Sequence, residues 1–183
     1  VNGMSPANRG SRWANSGLVV EIHPEDVLSA PSNDPLALMN WIERLEGESW
    51  TQARCSLRAP AQRMTDFLSG RSSVDLPKSS YNMGLTPSRL DEWLPSFITK
   101  RIQKAFQLFD RQTKGFLTAE AQLIALESRT SSPVRILRES TSCEHPLLRG
   151  LFPCGEGAGY AGGIVSAAMD GERCAEGVAF YLG

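Results

Sequence analysis

With 183 residues, 41% of them apolar and 21% charged, the chain has ordinary globular composition and enough apolar material for one core; its length permits one domain or two. Nineteen Lys and Arg against twenty Asp and Glu leave a formal charge of −1, which excludes a global field that recruits nucleic acid or an anionic membrane surface. No apolar run reaches the roughly 18 residues of a membrane span, and the N-terminus lacks the basic-then-apolar order of a signal peptide.

The opening Val1-Asn2-Gly3-Met4-Ser5-Pro6 does not start with methionine and reads as a loop entered from something earlier, so a fragment is expected. Leu18-Val19-Val20-Glu21-Ile22, ended by His23-Pro24, reads as a buried or half-buried strand. Ala30 to Asp34 is turn chemistry, and Asp34-Pro35 looks like an N-cap followed by proline at the first helical position. The helix beyond it places Leu36, Met39, Ile42 or Arg44, and Leu45 near three-to-four spacing and should stop at Gly47. A second helix is expected over Ala59 to Leu68, begun by Pro60 and closed by Ser69-Gly70.

Gly70 to Thr86 shows no sustained period and reads as a loop. Thr86-Pro87 should cap a short helix through Trp93, and Leu94-Pro95 should restart one to about Arg111, with Phe97, Ile98, Ile102, Ala105, Phe106 and Phe109 apolar. Gly115 breaks it. Ala119 to Leu126 suits helix or strand, and Thr130 to Pro133 tips the reading to a strand, followed by a short strand at Val134-Arg135-Ile136-Leu137. After a surface loop from Arg138 to Pro146, Leu147 to Pro153 reads as a strand, Gly155 to Gly163 as a glycine-rich turn, and Gly162 to Leu182 as a helix.

Strand, turn and helix in that order leave backbone N–H groups unpaired at the helix start. There the helix dipole favours an anion, and glycines let a phosphate come close to the backbone. Gly157-x-Gly159-x-x-Gly162 even has the spacing of the Rossmann dinucleotide fingerprint, but that motif needs a second parallel strand and an acidic ribose contact about 20 residues further on. The chain ends first. The stretch is therefore read as a helix N-terminus facing a dinucleotide whose primary fingerprint lies elsewhere, the alternative being glycines that only permit a tight turn and close helix packing. Glu156, between glycines at the end of an apolar strand, is an awkward carboxylate unless it accepts hydrogen bonds from ligand hydroxyls or nearby N–H groups.

Gly150-Leu151-Phe152-Pro153-Cys154-Gly155-Glu156-Gly157-Ala158-Gly159-Tyr160-Ala161-Gly162-Gly163-Ile164 resembles the C-terminal FAD motif of a largely uncharacterised family of FAD-dependent dehydrogenases. Arg129-Thr130-Ser131-Ser132-Pro133-Val134-Arg135-Ile136 resembles that family's second motif, and Ser11 to Val20 and Ala59 to Leu68 are also similar to it. The resemblance implies an α/β fold, an α+β mixture in this chain: the C-terminal part of a Rossmann-like FAD-binding fold with an inserted helical and strand cap. Residues 1–118 would be the substrate-side cap region with a linking strand, and 119–183 the C-terminal part of the FAD-binding domain.

The resemblance further implies that Gly155 and Glu156, then Gly157, Ala158, Gly159, Tyr160, Gly162, Gly163 and Ile164, face the ribityl chain, the pyrophosphate and the flavin ring of FAD. Arg129, Thr130, Ser131 and Ser132 would lie near the ring. The family's N-terminal glycine fingerprint has no counterpart in these residues. The implied partners are FAD and a small-molecule substrate or electron acceptor of unknown identity; NAD(P)H is a candidate further partner, the electron donor being left open, and no nucleic acid is expected. In such a protein the flavin carries the hydride or electron chemistry, so no catalytic side chain need be declared, and none is.

Arg129 and the Gly162 and Gly163 amides are candidates to stabilise a reduced anionic flavin, with an ordinary salt-bridged arginine as the alternative for Arg129. Cys55, Cys143, Cys154 and Cys174 form no CxxC pair and no zinc spacing, which points to a reducing compartment, cytoplasm or organelle interior, and to structural thiols. His23 and His145 read as surface histidines without a second metal ligand, and Trp13, Trp41, Trp50 and Trp93 as core or interface residues. Tyr160 is the better aromatic candidate for a cofactor contact, or else it stabilises the turn. The alternatives to an FAD-dependent oxidoreductase are a non-catalytic nucleotide-binding or interaction module derived from a flavoprotein, a flavin-dependent RNA-modification partner, and a truncated reading frame.

Overall fold

The computed structural model describes residues 4, 5, 7–27 and 34–183. Val1 to Gly3 and Pro6 of the opening loop, and Ala30 to Asn33 of the expected turn, lie outside these. The chain divides into two compact units, Val1–His23 with Ile42–Glu127, and Pro24–Trp41 with Ser128–Gly183. The architecture is mixed α/β.

Helix α1 (Pro24–Val27) is a single turn, and α2 (Ala37–Gln52) follows the expected cap: Asp34 Oδ1 accepts the Leu36 N–H at 2.9 Å. Gly47 does not stop α2. An interior glycine costs a helix about 1 kcal/mol relative to alanine without ending it, and the end comes where Arg54 and Cys55 take left-handed φ angles of 58° and 50°.

The helix expected over Ala59 to Leu68 is instead strand β1 (Ala59–Arg63) followed by helix α3 (Met64–Ser69). Ala59 through Gln62 are all buried, so this stretch has no solvent face to set a period, and the spacing of Ala61, Met64 and Phe67 imitates a helical one. Gly70 closes α3 as expected, with a φ of 63° and its N–H bonded to the Asp66 carbonyl. Strands β2 (Leu85–Pro87) and β3 (Gln122–Ile124) flank β1 in the order β2-β1-β3, β2 parallel and β3 antiparallel to it. Pro60 fits the central strand because only its carbonyl is needed, accepting the Ala125 N–H at 2.9 Å. The expected strand within Ala119 to Leu126 is thus found.

Thr86 is buried in β2 rather than capping a helix, because the ladder continues through Ser88 N–H to the Ala61 carbonyl at 2.9 Å. Helix α4 (Leu90–Trp93) starts only after that bond, and α5 (Ser96–Gln112) runs almost as expected. Its Ile98, Ile102 and Phe106 are buried, and Phe106 meets Phe67 edge-on at 6.3 Å. Fully buried Gln62 is satisfied too: Nε2 donates to Asp91 Oδ1 at 2.6 Å and to the Arg71 carbonyl at 2.9 Å.

Three expected strands do not form ladders among the described residues. Leu18 to Ile22 carries no regular secondary structure, with Val19 65% exposed, and is held to α5 by Arg101 Nη1 donating to the Glu21 carbonyl at 3.0 Å. Val134 to Leu137 carries no strand pairing. Leu147 to Pro153 folds back on itself: Gly150 has a φ of 77°, Glu144 Oε1 accepts its N–H at 2.7 Å, and His145 donates its N–H to the Leu151 carbonyl at 2.8 Å. An apolar run of strand length is bent there by side-chain acceptors that periodicity does not register. The long C-terminal helix, α6 (Ile164–Leu182), forms as expected.

Candidate functional site

The glycine turn and the Arg129 to Arg138 segment lie in one unit and are laced together. Ile136 N–H donates to the Ala158 carbonyl at 3.1 Å, Tyr160 Oη to the Ile136 carbonyl at 2.9 Å, and Arg135 Nε to the Gly159 carbonyl at 3.1 Å. Ser132 Oγ lies 2.8 Å from the Val134 carbonyl and 3.2 Å from that of Gly157, one hydroxyl proton shared between two acceptors. The structure therefore brings Ser132 against Gly157, and Arg135 and Ile136 against Ala158, Gly159 and Tyr160. Arg129, Thr130 and Ser131 are exposed on the same segment.

Within the turn the glycines divide by role. Gly159 has a φ of 84°, and a Cβ there would stand 2.5 Å from the Val134 carbonyl oxygen and 3.1 Å from Arg135 Cα, so this position admits glycine on both counts. Gly155 also has a left-handed φ, 71°, and its carbonyl accepts the Tyr160 N–H at 3.0 Å. Gly157 and Gly162 meet nothing within 4 Å of an added Cβ; each borders open space. Glu156, Gly157, Gly162, Gly163 and Ile164 are exposed, whereas Ala158 is 6% exposed and packs inside. With no strand preceding it, Glu156 is a solvent-facing carboxylate and not a buried one.

Gly163, the residue before α6, is extended and supplies no side-chain cap. Ile164 is 92% exposed, and the first turn carries no acidic residue. A 19-residue helix presents its unpaired N-terminal amides and the positive end of its dipole to an anion, and Gly162-Gly163 adds no side chain in the way. The donor set of this cradle suits a diphosphate, and the adjoining exposed Glu156 carboxylate suits hydroxyl donors of a ribityl or ribose group.

Arg138 and Asp170 were not among the expected site residues. Their side chains are 4% and 10% exposed and join at 2.6 and 2.9 Å, a forked pair. Asp170 Oδ2 also accepts the Gly155 N–H at 2.8 Å, while Arg138 Nη1 donates to the Pro153 carbonyl at 2.8 Å and contacts Cys174 Sγ at 3.1 Å. The Arg138 guanidinium lies 3.6 Å from the Tyr160 ring centroid. Hydrogen bonding from Arg138 outweighs burial and holds the Asp170 carboxyl down at about 2; the same bond raises Arg138 above its ordinary value. Burial pushes the Cys174 thiol up to about 11, which makes it a packing residue, not a nucleophile. A signal for Asp170 was available: it is the first acid in a helix opening Ile164-Val165-Ser166-Ala167-Ala168-Met169.

Tyr160, with its ring against Arg138 and its hydroxyl on the Ile136 carbonyl, stabilises the turn. All four cysteines are free, and among the described residues no group of three His, Cys, Asp or Glu is placed to hold a metal. No helix among them is long and apolar enough to cross a membrane. A shallow cleft of about 360 Å³ lies between Leu18–Glu21 and His23 on one side and Arg101, Ile102 and Ala105 of α5 on the other; none of the expected site residues lines it.

Residues 1–130 match the family described as FAD-dependent protein, C-terminal domain-like. The match stops short of the glycine turn. An uncharacterised protein of Clostridium beijerinckii is 38% identical over 177 residues, 96% of this chain, and that alignment extends past residue 130. The chain spans only 32% of that relative's length. Since the family match covers well over half of the residues, the chain belongs to the FAD-dependent protein family, as a C-terminal domain-like member.

Proposed function

We propose that the chain contributes the flavin and pyrophosphate side of an FAD site in an FAD-dependent oxidoreductase of Rossmann-like construction. Residues 1–118 act as the substrate-side cap region, and 119–183 as the C-terminal part of the FAD-binding domain. The observation that carries this reading is the exposed, uncapped start of α6 behind Gly162-Gly163, with open space at Gly157 and Gly162. Membership of an FAD-dependent protein family independently supports FAD as the cofactor.

In this reading the amides from Gly162 into the first turn of α6 bind the diphosphate, where charge-assisted N–H bonds are about twice as strong as neutral ones. Glu156 accepts from ribityl hydroxyls, and Arg129 to Ser132 lie toward the ring, Arg129 countering charge on the reduced flavin. FAD when bound supplies the hydride or electron chemistry. The chain's own residues orient it. NAD(P)H is the proposed electron donor, and the substrate is a small molecule.

The test is the absorption spectrum of the protein expressed from its own gene, before and after reconstitution with FAD. The visible bands of bound oxidised flavin are expected, together with their loss in Gly162→Val, whose added bulk blocks the diphosphate without meeting protein atoms within 4 Å at Cβ. A colourless protein that takes up no FAD would overturn the proposal.

A further inference from the structure

The glycine turn is held by a network that no flavin contact requires. Asp170, six residues into α6, reaches back to the Gly155 N–H at 2.8 Å and is itself gripped by both arms of Arg138. Arg138 in turn ties the Pro153 carbonyl on one side of the turn to the Tyr160 ring on the other, at 2.8 and 3.6 Å. The turn's remaining internal bonds, Gly159 N–H to the Glu156 carbonyl and Tyr160 N–H to the Gly155 carbonyl, are neutral backbone contacts at 2.9 and 3.0 Å. One part-buried carboxylate thus connects the body of α6 to the residues just before its own N-terminus.

We propose that Asp170 is the positioning residue of the glycine turn: through Gly155 and Arg138 it fixes the conformation in which the open glycines are presented. This rests on the flavin-side reading only for what is presented, because the lock is made entirely by residues of this chain. The Gly155 amide is consumed by Asp170, so the ligand is read by amides further along. Arg138 is shared between Asp170 and Tyr160, so the Tyr160 ring is oriented by the same lock. Removing one partner of this part-buried ion pair leaves the other charge uncompensated, and a hydrogen bond to a charged group outweighs a neutral one. The bonds from Ser132, Arg135 and Ile136 reach only Gly157 to Tyr160, so without Asp170 the start of the turn at Gly155 loses its charged anchor.

The discriminating experiment is hydrogen–deuterium exchange of the protein expressed from its own gene, without added FAD, read at peptides covering residues 154–161 and at the middle of α6. Asp170→Asn keeps size and shape but loses the charge; exchange over 154–161 should rise by about tenfold or more, while the middle of α6 stays close to wild type. Arg138→Lys keeps a positive charge without the fork and should give the same local pattern, so it carries the test if Asp170→Asn fails to fold. Phe152→Leu disturbs the Phe152–Tyr181 ring contact of the same unit and serves as the control for general loosening. Unchanged exchange over 154–161 in both variants, or an even rise across the unit as in the control, would overturn the positioning role. Failure of wild-type protein to bind FAD would overturn the cofactor reading alone, and the exchange result would still decide the role of Asp170.

Discussion

Gly159, Gly157 and Gly162 lie in one motif, yet substituting alanine at each should give opposite outcomes. At Gly159 alanine must hold a φ of 84°, which costs an L-residue roughly 1–2 kcal/mol. Its Cβ would also stand 2.5 Å from the Val134 carbonyl oxygen, with Arg135 Cα at 3.1 Å behind it. Neither atom is the end of a flexible side chain, so the backbone of Val134 and Arg135 must move, an overpacking cost of about 1–3 kcal/mol. Together these predict a loss of about 3 kcal/mol, or a Tm lower by roughly 6–12 °C. Gly157→Ala and Gly162→Ala meet nothing within 4 Å and have no left-handed φ, so their stability should stay within about 0.5 kcal/mol of wild type. Denaturant unfolding followed by circular dichroism measures all three. A Gly159→Ala protein as stable as wild type, or a Gly162→Ala protein destabilised like it, would refute this division into structural and open glycines.

Gly177→Ala should also destabilise, by about 1–3 kcal/mol, because its Cβ would press on the Ser142 carbonyl and displace the loop before Cys143; thermal melts would show it. In the other unit, Phe106→Ala should cost about 3–5 kcal/mol through the cavity left beside Phe67 and Phe116. The Asp170 carboxyl is lower in the folded protein than in the unfolded chain, so its contribution is present above pH 3.8 and lost as pH falls toward about 2. That contribution is about 2 kcal/mol; stability measured against pH should flatten over this window in Asp170→Asn. Cys174 has the opposite sign: its thiol is raised from 9.0 to about 11, so stability should fall as pH rises through that interval, and less so in Cys174→Ala.

What was legible in the sequence was whatever carried a local rule. The Asp34 cap, the amphipathic Ser96–Gln112 helix, the Gly70 stop and the apolar C-terminal helix are each set by neighbours a few residues away. Failures came where distant contacts decide. Ala59–Arg63 is a strand because β2 and β3 bracket it, and Leu147–Pro153 bends because Glu144 and His145 capture its backbone. At the site, glycine spacing marked the turn but could not separate Gly159, fixed by a backbone 24 residues upstream, from Gly162, which faces open space. Nor could it reveal that Asp170 and Arg138, 32 residues apart, hold the turn.

The central claim, that the Gly155–Ile164 stretch meets the flavin and pyrophosphate side of FAD, is tested most directly by hydrogen–deuterium exchange on the protein expressed from its own gene, with FAD bound and with FAD removed. FAD should slow exchange in peptides spanning Gly157 to Ser166, at the start of α6, and leave the far end of that helix unchanged. Protection confined to other segments, with the start of α6 indifferent to FAD, would contradict it.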